Sequence, residues 1–184
     1  MVMFRFLRKW WDVIFLVVFL LAFLLIRFYL FPWFTVKQTS MLETLHNGDV
    51  VVVSHIYALR KDFERGDIIV FYLGNKKDEN GEYLVKRIIG LPGEIVEIHN
   101  GTVYINGNSI EEPYVTYKGT SNFGPYKVPD GKVFVLGDNR PASRDSRFFG
   151  AIDESSIVGR VVLRIYPFYD FEIFRRISYN DASS

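Results

Sequence analysis

Cysteine is absent from this 184-residue sequence. Disulfides, zinc–thiolate sites and a cysteine nucleophile are therefore excluded, and the fold does not depend on an oxidising compartment. Histidine is scarce, with only His46, His55 and His99. Charge of either sign is nearly balanced at a net +1, so no global field argues for nucleic acid. Aromatic residues, in contrast, are plentiful: 17% of the chain, with 17 Phe and 11 Tyr, many of them near the two ends. The length allows one anchor and one domain with a core of its own.

Val13 to Ile26 has no charged or polar residue, and the apolar run resumes after Arg27 through Phe34. A helix over 13–34 would span roughly 30 Å, enough for a bilayer core. Arg27 can snorkel to the headgroups, and Tyr29, Pro32 and Trp33 suit an outer interface and a helix exit. Arg5, Arg8 and Lys9 favour a cytoplasmic N-terminus, against a weaker opposing bias from Arg27 and Lys37. A cleaved signal peptide fits less well, because the run is too long and no small-x-small site follows. A segment apolar on every face at this length reads as membrane-spanning rather than as a buried core helix. The expected division is 1–34 as cytoplasmic N-terminus and anchor, with 35–184 as an extracytoplasmic domain.

From Gly48 onward the pattern is that of strands. Val50 to Val53, Ile68 to Leu73, Tyr83 to Ile89, Ile95 to Ile98, Thr102 to Ile105, Val133 to Leu136 and Ile157 to Ile165 are β-branched or alternating runs bounded by turn residues. Asn100-Gly101 and Asn106-Gly107 are hairpin signals. Asn75 to Glu82 reads as an exposed loop and Glu111 to Pro129 as irregular chain. The fold class is mainly β: an antiparallel β domain preceded by a single N-terminal transmembrane helix.

Ser40 lies on a short polar connection just after the apolar run. A serine becomes a useful nucleophile only when a base removes its proton. None of the three histidines is favoured by its context. Lys86 shares a strand face with Leu84 and Ile88 on a period of two, and a lysine on an apolar face either snorkels out or loses its charge. Holding it neutral at pH 7 costs roughly 4–5 kcal/mol at its reference pKa, and burial can lower that pKa by about 3–5 units. Arg87 cannot act this way, because guanidinium stays charged. The bland alternative is a half-exposed strand lysine. A third stretch, Gly137 to Gly150, crowds hydroxyl, carboxylate and guanidinium groups into one loop. Such a loop can stiffen itself and orient an amine, or it can be a solvated connection.

Together the three stretches resemble bacterial type I signal peptidase. Ser40-Met41 with Thr44-Leu45, Lys86-Arg87 with Gly90-Leu91-Pro92-Gly93, and Gly137-Asp138-Asn139-Arg140 with Ser143-Arg144-Asp145-Ser146-Arg147 carry the resemblance, which covers roughly residues 36–168. It implies a membrane-anchored serine endopeptidase that cleaves signal peptides from exported preproteins through a Ser–Lys dyad and an acyl-enzyme, in the cytoplasmic (inner) membrane and without metal or cofactor. By the same resemblance Ser40 is the nucleophile and Lys86 the general base. Ser143 orients the lysine, Asp145 and Arg147 form an ion pair near the site, and Asp138 and Arg140 stiffen the box. The Ser40 N–H serves the oxyanion, and Gln38 is a candidate second donor. The implied partners are signal-peptide-bearing preproteins and the lipid bilayer.

Two positions depart from the family pattern: Glu43 stands where proline is usual, and Gln38 where a small residue is. The rival readings are a self-cleaving Ser–Lys peptidase and an inactive anchored β domain that binds exported proteins. The anchor argues against the first; retention of Ser40, Lys86 and Ser143 together argues against the second. The aromatic stretch Ile165 to Phe174, followed by Arg175 and Arg176, suits a bilayer interface and equally suits ordinary packing of a terminal strand. The sequon Asn100-Gly101-Thr102 is taken as chance.

Overall fold

The computed structural model describes residues 2–74, 81–177 and 179. Helix α1 spans Val2–Leu30, with neither glycine nor proline to interrupt it. Its Trp10–Leu30 part has a mean hydropathy of 2.9 and none of it is buried inside the chain, so it is long and apolar enough to cross a membrane. The helix stops at Leu30 rather than continuing to Phe34, as the apolar run had suggested. Pro32 lacks the N–H that another turn needs and disfavours helix at the residue before it. The chain then enters a sheet.

Strand β1 (Trp33–Thr35) pairs antiparallel with β2 (Val50–Ser54). Helix α2 (His55–Arg60), not foreseen from the sequence, follows. Then come β3 (Ile68–Leu73), β4 (Glu82–Gly90), β5 (Ile95–His99), β6 (Thr102–Ile105), β7 (Asn108–Ser109), β8 (Phe123–Lys127) and β9 (Lys132–Leu136). Helix α3 (Ser146–Phe149), β10 (Ile152–Asp153), β11 (Ile157–Tyr166) and β12 (Glu172–Ile173) complete the chain. The expected loop at Asn75 to Glu82 lies outside the described residues except for Gly81 and Glu82, and Glu82 already belongs to β4. Strand β8 corrects the reading of Glu111 to Pro129 as wholly irregular.

Among the described residues the larger sheet has eight strands in the order β1-β2-β11-β3-β4-β9-β10, with β12 beside β11, and every pairing is antiparallel. The smaller sheet runs β7-β6-β5-β8. Its two hairpin turns are the Asn-Gly pairs, with positive φ at Asn100, Gly101, Asn106 and Gly107, as two-residue turns of the tightest kind require.

Alternation divides the core. Val51, Val53, Ile68 and Val70 pack on one side with Met41 and Leu45, and Ile69, Phe71, Leu84 and Ile88 on the other. A third cluster joins Ile89, Phe134 and Leu136 to the small sheet through Val96, Ile98 and Val103. One feature of β4 positions the site. All of Glu82 to Arg87 pairs with β3, but β9 pairs only from Arg87 onward. The Glu82–Lys86 half therefore leaves one edge without a strand among the described residues.

Candidate active site

Ser40 opens a turn between β1 and β2. Two buried apolar residues pin that turn to the core, Met41 and Leu45, and Leu45 N–H donates to Met41 O at 2.8 Å. The loop after β9 holds it from the other side. Asn139 N–H donates to Ser40 O at 3.0 Å, Asn139 Nδ2 to Thr39 O at 3.2 Å, and Thr44 Oγ1 to Asp138 at 2.6 Å. Gly137 allows this close approach: a Cβ there would lie 2.5 Å from Ser40 O and 2.2 Å from Ser143 Oγ.

Lys86 sits in register with Ile69 and is 1% exposed. Its Nζ lies 2.7 Å from Ser40 Oγ, 3.0 Å from Val85 O and 3.4 Å from Gln38 Oε1. Burial pushes the amine down from 10.5 to about 8, while the carboxylates of Asp145, Glu82 and Asp138 pull the other way. At about 8, neutralising the amine at pH 7 costs about 1.4 kcal/mol, against the 4–5 of a solvated lysine. The snorkelling alternative does not apply, because the amine is inside.

Ser143 makes no hydrogen bond to Lys86. Its hydroxyl is buried and has no partner among the described residues. The contacts of the amine are taken by Ser40, Val85 and Gln38. Gln38 turns its amide oxygen to the lysine, where the sequence had suggested an amide N–H aimed at an oxyanion. Glu43 is half exposed, faces His46 at 3.8 Å and is not among the carboxylates acting on Lys86. His99 pairs with Glu97 on the exposed hairpin, and His55 opens α2; among the described residues no histidine bonds Ser40.

The box is braced by its carboxylates, although not all as the sequence suggested. Asp145 and Arg147 pair at 2.8 and 2.9 Å, and Asp145 also accepts from Gly137 N–H at 3.1 Å. Asp138 pairs with Arg87, and Arg140 pairs with Glu112 while donating to Gly137 O at 2.9 Å. Glu112, Val85 O and the Tyr114 ring, 3.8 Å below the Arg87 guanidinium, were not singled out beforehand. Nothing in local pattern marks a carboxylate in a Pro- and Tyr-rich segment as the partner of a distant arginine.

Beside the Ser40–Lys86 pair lies a pocket of about 380 Å³. It is lined by residues 34–38, the run that leads to Ser40, and by Val70, Tyr83 and Val85 of β3 and β4. Tyr83 and Val85 alternate along β4 and so offer one face of that strand to the pocket. A nucleophile in contact with a buried amine, beside an open strand edge and a small apolar pocket, can carry out acyl transfer on a peptide.

Comparison with known proteins places the chain in a peptidase family. Residues 7–166 match the family described as signal peptidase, peptidase S26. Signal peptidase IB of Staphylococcus aureus is 38% identical over 180 residues, covering 88% of this chain and 91% of its own. Signal peptidase I of Bacillus licheniformis is 42% identical over 156 residues, covering 79% and 82%. A crystal structure of a signal peptidase I from Enterococcus faecalis V583 is 40% identical, with a TM-score of 0.45 over 53% of this chain and 95% of that one.

Proposed function

The chain belongs to the signal peptidase S26 family of serine endopeptidases acting on signal-peptide-bearing preproteins, and from that premise we propose that Ser40 is its nucleophile and Lys86 its general base. The observation that carries the assignment is the 2.7 Å contact between Lys86 Nζ and Ser40 Oγ, made by an amine that burial brings to about 8.

Neutral Lys86 takes the Ser40 hydroxyl proton as Oγ attacks the scissile carbonyl carbon. The oxyanion forms against the Ser40 backbone N–H, a donor fixed before the charge develops. The lysine then gives its proton to the departing amine as the C–N bond breaks, which leaves an ester on Ser40. A water surrenders a proton to Lys86, attacks the ester and frees the hydroxyl.

The preprotein pairs as an extended strand along the open Glu82–Lys86 edge. Every second side chain of a strand points the same way, so residues one and three before the scissile bond share the Val36, Val70 and Val85 pocket, where small side chains fit. Helix Trp10–Leu30 anchors the enzyme as a single pass in the cytoplasmic membrane, with the basic N-terminus inside and residues 35–184 outside. The exposed turn carrying Phe168, Tyr169 and Phe171 rests on the lipid surface.

The test is incubation of the detergent-solubilised full chain with a preprotein, then sequencing of the new N-terminus. Cleavage after a small residue is expected, and it should vanish in Ser40→Ala. Undiminished cleavage by Ser40→Ala would overturn the nucleophile assignment.

A further inference from the structure

A neutral lysine amine has two N–H bonds and one lone pair. It works as a base only when the lone pair, not an N–H, points at the serine. The Cε–Nζ bond rotates freely unless acceptors fix it, and a single acceptor leaves two settings, one of which aims an N–H at the serine oxygen. Two acceptors remove that choice. In this chain they are Val85 O at 3.0 Å and Gln38 Oε1 at 3.4 Å, and the third direction from Nζ meets Ser40 Oγ at 2.7 Å. Ser143 Oγ, the hydroxyl that the family resemblance assigns to this task, is buried without a partner among the described residues.

We infer that Gln38 is the lysine-positioning residue of this enzyme, its side-chain carbonyl acting with Val85 O to turn the Lys86 lone pair onto Ser40. The inference rests on the Ser40–Lys86 reading and deepens it. It gives a physical reason for a long amide at a position where the family has a small residue: Oε1 reaches the amine from the run of chain between β1 and Ser40. The carbonyl also stabilises the protonated amine once the serine proton has moved. The charged groups bearing on that amine are Glu82 from its own strand and Asp138 and Asp145 from the loop after β9. On the nucleophile loop, Glu43 turns instead to His46.

Two substitutions separate an acceptor from a donor. Gln38→Met keeps the length and loses both functions; Gln38→Glu keeps an acceptor and loses the N–H. Cleavage of a signal-peptide substrate by the full chain in detergent, followed against pH, reads both. For Gln38→Met the expected result is a kcat lower by about tenfold to 100-fold, part of the roughly 10²–10⁴-fold that a well-placed base contributes. Its acid limb should also move to lower pH, because a hydrogen bond to the charged amine is gone. For Gln38→Glu, kcat at the plateau should return to within about tenfold of wild type, with the acid limb raised by about one to three units by the new carboxylate. A mere wall of the pocket would alter KM and leave both limbs in place.

Wild-type kcat and an unmoved limb in Gln38→Met overturn the inference. So does a Gln38→Glu enzyme as slow as Gln38→Met at every pH, which would make the amide N–H the working group. Lys86→Ala separates the two levels. If it is inactive while Gln38→Met is normal, only the positioning role falls; if it cleaves, the dyad reading falls with it.

Discussion

Arg87 and Asp138, 51 positions apart, meet through two hydrogen bonds of 2.9 and 2.6 Å, and both side chains are almost wholly buried. Arg87 follows Lys86 in sequence, and Asp138 also accepts from Thr44 in the loop that carries Ser40. The pair thus ties strand, loop and box together behind the site. Removing one partner leaves an uncompensated buried charge. Asp138→Leu or Arg87→Met is expected to cost about 3–5 kcal/mol, and the double replacement of the two much less than the sum. Thermal unfolding of the four proteins checks this; equal, additive losses would show that the pair is not coupled.

That pair also marks the boundary of what the sequence could tell. Seven of the strands were legible, some as alternating runs and others, such as Val50 to Val53 and Ile68 to Leu73, as continuous β-branched or apolar runs buried on both faces. The two Asn-Gly turns were legible because few other residues accept positive φ at both positions. Strand β8 was not, since Gly124 and Pro125 lie within it and its order comes from pairing with β5. Ser40, Lys86 and the box could be recognised from their motifs, and the Asp145–Arg147 pair with them, but the partners of Asp138 and Arg140 could not. Asp138 and Arg140 are neighbours in sequence, yet each finds its partner on another element.

The buried amine sets a pH signature. As the proposed base, Lys86 must be neutral to accept the Ser40 proton, and burial brings it to about 8. Below that value each unit of pH should lower kcat/KM about tenfold, with a plateau above it. Ser40→Ala and Lys86→Ala are expected to fold and to be inactive, and so is Lys86→Arg, whose guanidinium cannot deprotonate. A profile level from about pH 5 to about pH 9, or turnover by Lys86→Arg, would remove the lysine from its role.

Glu43 stands three residues after Ser40, and its half-exposed carboxylate approaches His46 at 3.8 Å. A carboxylate coupled to Lys86 would hold the amine charged, so its removal would move the acid limb downward. Glu43→Pro should therefore leave the limb within about half a unit of its wild-type position, and a fall of more than about one unit would reveal coupling.

The aromatic turn after β11 calls for a test that spares the fold. Phe168 and Tyr169 are 82% and 93% exposed, and Phe171 is 57% exposed. Arg164 grips Asp170 at 2.9 Å and Glu172 at 2.8 Å from beneath, which keeps the turn from folding its rings inward. Cutting the chain after Pro167 would be a poor probe, because Phe174 packs on the core and Arg176 pairs with Asp67 beyond that point. The absence of cysteine offers a better one. Phe168→Cys creates a single thiol for an environment-sensitive fluorophore in the full chain reconstituted into liposomes, with Ser109→Cys on exposed β7 of the small sheet as reference. If the turn rests on lipid, as aromatic residues favour at a bilayer interface, the label at 168 should shift to the blue and be quenched by lipids carrying a quencher in the upper acyl chain. The label at 109 should do neither. Equal, water-like emission at the two sites would mean that the turn is ordinary exposed surface, and that α1 alone holds the enzyme to the membrane.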